Sequence, residues 1–323
     1  MNTRPPLTVV TSTYNWPRAL EQAIPTALAQ TFSDFEYLII GDGCTDETED
    51  LVRAFHDPRI IWRNLAENTG NQSGVNKVAL EMARGECIAY LNHDDLWFPD
   101  HLDALIGPLR SGDLDIVNSL CIEVSAPGHH FRGILGMPFR TSPTQLAVCP
   151  MTSNVLHTAS AAQAAGGWID WRESQAVPTQ DFFSRLRKLR GRFGIAPHVT
   201  SLKFHSGDRL KSYVLKEAFE QQRYADLMRS DPDLRYREVM IAMAYGAMGE
   251  SNPKLAQPKM PANAPPGWQI EQWRRMRGLA PMLDLGASEP GIIAPLPASL
   301  PSRLSVDKNG HALISSILKY HTP

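Results

Sequence analysis

Four short, mostly apolar runs, separated by stretches of helical spacing, dominate the first 110 residues. They are Leu7–Ser12, Phe35–Ile40, Ile60–Asn64 and Cys87–Leu91. Each is short for a helix and reads as a buried strand. Between them, Pro17 opens a segment in which Leu20, Ile24, Ala27 and Leu28 share one face up to Gln30. Asp46 and Glu49 have the spacing of a capping box before a helix ending at Phe55. Residues 71–83 place Val75, Val78, Ala79 and Met82 on one helical face, and Pro99–Leu109 gives a further helix. Ile116–Val124 reads as another strand. This alternation predicts an α/β fold: a mostly parallel sheet with helices on both faces. Ligands of such sheets bind beyond the carboxyl ends of the strands. Tyr14-Asn15, Asp42 and Asn92–Asp95 all follow strand ends, so they are expected on one edge.

The pattern changes twice further on. Residues 125–150 are loop-rich, and then a helix at Thr158–Ala165, a Gly166-Gly167-Trp168 turn, a helix at Gln180–Arg190 and a strand at Ile195–Phe204 are predicted. Residues 214–249 read as one or two helices. Of the 25 prolines, eleven follow residue 250, which marks a boundary. A hydrophobic fraction of 43% over 323 residues allows a sizeable core. A net charge of -2 argues against nucleic acid as a partner. The four cysteines form no CxxC pair, and neither an export signal nor an apolar run of about 18 residues is present. A cytoplasmic protein is expected, touching the inner face of a membrane at most peripherally.

Leu91-Asn92-His93-Asp94-Asp95-Leu96-Trp97 carries the strongest chemical signal. Adjacent carboxylates repel, so the pair suits a divalent cation that shares its shell with phosphate oxygens. The same residues also suit a helix N-terminus, where acids complement the dipole. Asp42 in Gly41-Asp42-Gly43 reads either as an acceptor for a base or ribose or as part of a turn. Asp181 in Thr179-Gln180-Asp181 reads as a general base or a helix cap. His205 follows a strand and is an ordinary surface histidine on its own terms. GxGxxG, GxxxxGK[ST] and HExxH are absent.

Taken in order, Val9-Val10-Thr11-Ser12-Thr13-Tyr14-Asn15, Ala29-Gln30-Thr31-Phe32, Asp42-Gly43-Cys44-Thr45-Asp46, Asn68-Thr69-Gly70 with Asn76, Ala83-Arg84-Gly85-Glu86, Asn92–Trp97, Gly166-Gly167-Trp168 and Gln180-Asp181 resemble glycosyltransferase family 2. That family comprises inverting nucleotide-sugar transferases of GT-A fold. The resemblance covers roughly residues 7–205. It implies that Ser12, Tyr14 and Asp42 bind the nucleoside, with Asn92, His93 and Asp95 as further donor-binding residues. Asp94 matches the last carboxylate of the DxD motif and would hold Mn²⁺ or Mg²⁺. Asp181 matches the catalytic base, and His205 falls where the family often has a basic or histidine-containing loop near the diphosphate, which makes it the second metal-site residue the resemblance implies. Asn92 stands where the motif has its first carboxylate, Gln180 where a Glu usually precedes the base, and Gly41 where another Asp is common.

These matches imply transfer of a sugar from a UDP- or dTDP-linked donor to a glycan or lipid-linked acceptor, in polysaccharide or glycoconjugate biosynthesis. The expected organisation is a GT-A domain over 1–212, with a nucleotide-binding half at 1–110 and an acceptor half at 111–212. A helical segment at 213–249 and a proline-rich accessory extension at 250–323, clear of the chemistry, follow. Residues 267–283 pair Trp268 and Trp273 with three arginines: either an interfacial helix on anionic lipid or a helix packed on the catalytic domain. Two other functions compete. A nucleotidyltransferase would carry a Gly-rich loop after the first strand, and Thr11–Arg18 has no glycine. A non-catalytic sugar- or protein-binding relative is motivated by Asn92 and Gln180.

Overall fold

A computed structural model describes residues 5–126, 131–137, 139–142, 145–147, 150–190, 192–205, 209, 211–249 and 260–285. Met1–Ser288 form one compact unit, and Glu289–Pro323 form a second that lies outside the described residues. A last short helix, which the sequence suggests at 313–318, and most of the proline-rich extension therefore also lie outside them.

The amino-terminal half follows the predicted alternation. Strands β1 (Leu7–Thr13), β2 (Glu36–Gly41), β3 (Ile60–Asn64) and β4 (Cys87–Tyr90) alternate with helices α1 (Pro17–Leu28), α2 (Thr48–Ala54) and α3 (Gln72–Met82). The four strands pair in parallel in the order β3-β2-β1-β4. Alternate residues of each strand point to opposite faces. Leu7 and Val9 of β1 therefore meet Leu20 and Ile24 of α1 and Leu102, Leu105 and Leu109 of α4 (His101–Ser111). Val10 meets the other face, under α3, α5 (Ala159–Ala164) and α6 (Pro178–Arg190). Burying each such Leu or Ile contributes roughly 1.5–3 kcal/mol, which fixes the strand register.

Beyond β4 the sheet becomes mixed. β10 (Val155–Thr158) is inserted antiparallel between β4 and β6 (Ile116–Val124). β11 (Phe193–Phe204) then pairs in parallel with β6, with register shifts between Ile195 and Ser201. The two-residue β5 (Leu96–Trp97) closes the edge antiparallel to β11. β7 (Arg132–Leu135) lies in the stretch read as loop and pairs with β6. β8 (Phe139–Ser142) and β9 (Gln145–Ala147) form a separate ladder. Helices α8 (Phe219–Ser230) and α9 (Leu234–Ala247) cover this half through Tyr224, Ala225, Leu234 and Ala242. Short α7 (Ser212–Leu215) precedes them, and α10 (Trp268–Met276) follows. No described helix is long and apolar enough to cross a membrane.

One local expectation fails. Asp46 does not form a capping box with Glu49. Its Oδ1 instead accepts from the Thr48 backbone N–H and hydroxyl at 3.2 and 2.5 Å. Glu49 is turned to Arg53 one helical turn on.

Candidate functional site

The ends of β1, β2 and β4 meet, as the parallel arrangement requires. After β1, Asn15 adopts φ 46° and clamps the neighbouring loop: its amide donates to Thr45 Oγ1 at 3.2 Å and its Oδ1 accepts from Thr45 N at 2.8 Å. After β2, the Asp42 N–H donates to Thr13 O at 2.8 Å, and its Oδ1 accepts from Thr69 N at 2.7 Å. Gly43, at φ 72°, is required here because a Cβ would lie 2.7 Å from Asn68 N. The loop 68–70 therefore packs directly on the Asp42 turn. Burial raises the Asp42 pKa, against the hydrogen bonds from Thr69 and Gly70 and the field of Arg274.

The turn after β4 is organised by a carboxylate beneath it. Asp95 is 0% exposed and accepts from Ser153 Oγ at 2.6 Å, Asn92 Nδ2 at 3.0 Å and Phe204 N at 3.2 Å. Lys203 Nζ donates to both of its oxygens, at 3.1 and 2.9 Å. Burial pushes the Asp95 pKa up, and Lys203 opposes it. Asp95 thus braces the turn from below and is not part of the pocket wall. Asn92 has a structural reason to be an amide: a carboxylate there would face Asp95 instead of donating to it. The same brace presents His93 and Asp94 to the cavity. His93 Nδ1 lies 3.0 Å from Thr13 Oγ1, and burial holds its pKa down at about 3, so the ring is neutral at pH 7.

The cavity has a volume of about 410 Å³. Ser12, Tyr14, Asp42, Asn92, His93 and Asp94 all line it, so six of the nine residues singled out in the sequence converge. Three do not. Asp95 lies behind the wall. Asp181 sits in the first turn of α6, just past the wall residues Val177, Pro178 and Thr179, and both hydrogen bonds from Arg185 go to its Oδ2 at 2.9 and 2.7 Å. It is therefore no helix cap. Arg185 also donates to the carbonyls of Ala165 and Gly167, tying the Gly166-Gly167-Trp168 turn to α6. His205 follows the end of β11, outside the wall, with its carbonyl accepting from Arg209.

The roof comes from a part of the chain the motifs do not reach. Ile270, Trp273, Arg274, Arg277, Leu279, Ala280 and Met282 line the cavity together with Tyr213. Segment 267–283 is thus packed on the pocket, whereas the extension after 250 was expected to stay clear of the chemistry. α10 starts at Gly267 (φ 77°) and stops at Gly278 (φ 74°), the positions where left-handed backbone favours glycine. Glu271, fully buried, accepts from Met282 N and Leu283 N at 3.1 and 3.2 Å and folds the following loop back. Arg274 donates to Gly70 O at 2.6 Å, and Trp171 Nε1 donates to Thr69 O at 2.9 Å. Gly70 adopts φ 85°, where left-handed backbone favours glycine, and a Cβ there would also displace the Met282 thioether.

Lys203, Tyr213 and the residues of α10 and its following loop are among the lining groups that sequence reasoning missed. Strand alternation in β11 gave a signal for Lys203; nothing local marks the arginines of α10. Among the described residues, no three His, Cys, Asp or Glu side chains gather into a metal cage. The pocket-facing Asp94 nevertheless suits a hard cation that draws its remaining ligands from phosphate and water.

Comparison with known proteins finds glycosyltransferases. The family model described as Glycosyl transferase family 2 matches residues 8–159. An uncharacterised glycosyltransferase of Nostoc sp. is 34% identical over 110 residues, which is 33% of this chain and 34% of the relative. The putative teichuronic acid biosynthesis glycosyltransferase TuaG of Bacillus subtilis is 36% identical over 104 residues, 32% of this chain and 41% of the relative. The chain thus spans well under half the length of these relatives. Among solved structures, S. aureus TarS 1-349 in complex with UDP-GlcNAc superposes with a TM-score of 0.52 at 16% identity, covering 73% of this chain and 70% of that one. The likeness shows a shared fold.

Proposed function

Residues 8–159 belong to glycosyltransferase family 2, and from that premise we propose that the chain transfers a sugar from a nucleoside-diphosphate sugar to an acceptor hydroxyl with inversion. The observation that carries this reading is the convergence of Ser12, Tyr14, Asp42, Asn92, His93 and Asp94 on one cavity at the carboxyl ends of parallel strands. Its 410 Å³ fall within the range of small-ligand sites. Ser12, Tyr14 and Asp42 hold the nucleoside. The TarS complex and the teichuronic acid assignment of TuaG support a UDP-linked donor and a glycan or lipid-linked acceptor in polysaccharide synthesis.

Asp94, with His93 beside it, would hold Mn²⁺ or Mg²⁺ through the donor's diphosphate; such an ion neutralises the charge that develops on the leaving group. This chain's residues do the rest. Asp95 and Asn92 fix the direction of Asp94 from below. Asp181 is the base. It accepts the acceptor's proton on Oδ1, while Arg185 holds Oδ2 and the helix turn in place. The acceptor therefore enters over the first turn of α6, on the 111–212 half, opposite the nucleotide half at 1–110. The amide at Asn92, which motivated a non-catalytic reading, is accounted for by Asp95 and carries no such implication.

The test is a donor panel with Mn²⁺ present, read as transfer or donor hydrolysis, on wild type and Asp181→Asn. Wild type should turn over at least one donor. The Asn variant should lose transfer by roughly 100-fold or more while keeping donor affinity. Undiminished transfer by Asp181→Asn removes the base assignment, and inertness of wild type toward every donor removes the function.

A further inference from the structure

Five charged side chains line the cavity: Asp42, Asp94, Lys203, Arg274 and Arg277. Two of the three cations, Lys203 and Arg274, have acidic counterparts within the protein. Lys203 is bound to Asp95 and lies in the field of Asp94. Arg274 donates to the carbonyls of Gly70 and Ala280 and lies in the field of Asp42. Among the described residues, Arg277 has no carboxylate partner. Its guanidinium lies instead over two rings, 5.5 Å from the centroid of Tyr213 and 5.6 Å from that of Trp273. Stacking of this kind engages the faces of the cation and leaves the in-plane N–H donors unspent.

The backbone holds this arrangement from both sides. Arg277 N donates to Trp273 O at 3.1 Å, so the residue is fixed at the end of α10. Tyr213 is fixed by its own cation below: Lys216 Nζ lies 6.0 Å from its centroid, 5.1 Å from Tyr14 and 5.7 Å from Trp16, and donates to Tyr14 O at 2.9 Å. A planar cation, oriented before any ligand arrives and carrying a forked donor set, matches a phosphate better than a carbohydrate hydroxyl.

We infer that Arg277 binds the diphosphate of the donor, as a guanidinium delivered to the cavity by α10 from 118 residues beyond the end of the family-matched region. The inference rests on the proposed nucleoside-diphosphate donor. It assigns to the C-terminal roof a share of the charge neutralisation that the strand ends otherwise carry alone. It also gives Trp273 and Tyr213, from distant parts of the chain, a shared partner at the cavity edge.

The experiment is titration calorimetry on the full chain with UDP and uridine, with GDP and dTDP and their nucleosides run alongside. Uridine measures whether the pocket and α10 remain in place, and UDP measures the phosphates. Arg277→Ala should weaken UDP by roughly 10- to 100-fold, the range of a charge-assisted hydrogen bond, with uridine affinity and melting temperature unchanged. Arg277→Lys should recover part of the loss, since it keeps the charge but not the fork. Unchanged UDP affinity in Arg277→Ala overturns the inference while wild-type UDP binding upholds the proposed function. Equal losses for UDP and uridine overturn it in favour of a packing role. Failure of wild type to bind any of the three diphosphates overturns the proposed function itself.

Discussion

Replacing Lys203 by Met isolates the brace beneath the β4 turn. The substitution keeps the length of the aliphatic stem and removes the ammonium that contacts both oxygens of Asp95. Asp95 is left 0% exposed, with Ser153 Oγ, Asn92 Nδ2 and Phe204 N as its remaining donors. Removing one partner of a buried ion pair costs about 3–5 kcal/mol, because the other charge stays desolvated. The three surviving donors place this case at the lower end, about 3 kcal/mol. A loss of that size corresponds to roughly 6–10 °C in melting temperature for a domain of this size. The assay is thermal and urea unfolding followed by tryptophan fluorescence, on Lys203→Met, Asp95→Asn and the double variant. The double variant removes both charges and should be more stable than the sum of the single losses predicts, by about 1–3 kcal/mol. Two results refute the reasoning: a loss under about 1 kcal/mol in Lys203→Met, or strict additivity in the double variant. The first would mean that Asp95 is satisfied without the ion pair. The second would mean that the two residues act independently despite their contact.

Three further outcomes follow from the same geometry. Asn92→Asp, which restores the common family motif, should lower stability by about 1–3 kcal/mol because it sets a carboxylate against Asp95; a melting temperature equal to wild type would contradict this. Gly70→Ala meets both an unfavourable φ of 85° and Met282 Sδ, and should cost about 1–3 kcal/mol and weaken donor binding; limited proteolysis should find α10 more open, and unaltered affinity would count against the roof contact. Burial lowers the Lys216 pKa from its ordinary value to about 8. Between pH 8 and about 10.5 the unfolded chain therefore holds more protons at this residue, so stability rises with pH in that window. Wild type should gain on Lys216→Met from pH 8 to pH 10 in urea midpoints, and a constant difference would show that the group titrates normally.

The parallel half was legible because it is built from local signals. β1 to β4 are apolar runs of strand length, and the helices between them announce themselves by spacing and by Pro17. The strand ends then placed Ser12, Asp42 and Asp94 together without further information. The mixed half was less legible. β10 is four residues long, and only its pairing with β4 and β6 decides that it runs antiparallel between them. β5 has two residues, and its existence depends on β11. Asp95 looked like a donor-binding residue because its sequence neighbours Asn92, His93 and Asp94 line the cavity; its burial beside Lys203 is a long-range fact. Asp46 and Glu49 had the right spacing for a cap, but Arg53, one turn beyond Glu49, offered a competing partner. For α10 the sequence left a lipid surface and the catalytic domain as alternatives and marked no cavity, because arginines interleaved with tryptophans look alike over a membrane, on a protein face or above a pocket.

The cavity has a floor and a roof of different mechanical character. Its floor is set by the register of paired strands, where moving one side chain disturbs every neighbour in the sheet. Its roof is one nine-residue helix with the loop that follows it to Met282, folded back by Glu271 and tied to the floor by the bond from Arg274 to Gly70 O. Substitutions on α10 can therefore change what fits above the strand ends without altering the sheet. On the proposed function, selectivity for different donors is free to diverge in the roof while the strand ends beneath it stay constant, and exchanging 267–285 between relatives would be the direct way to transplant it.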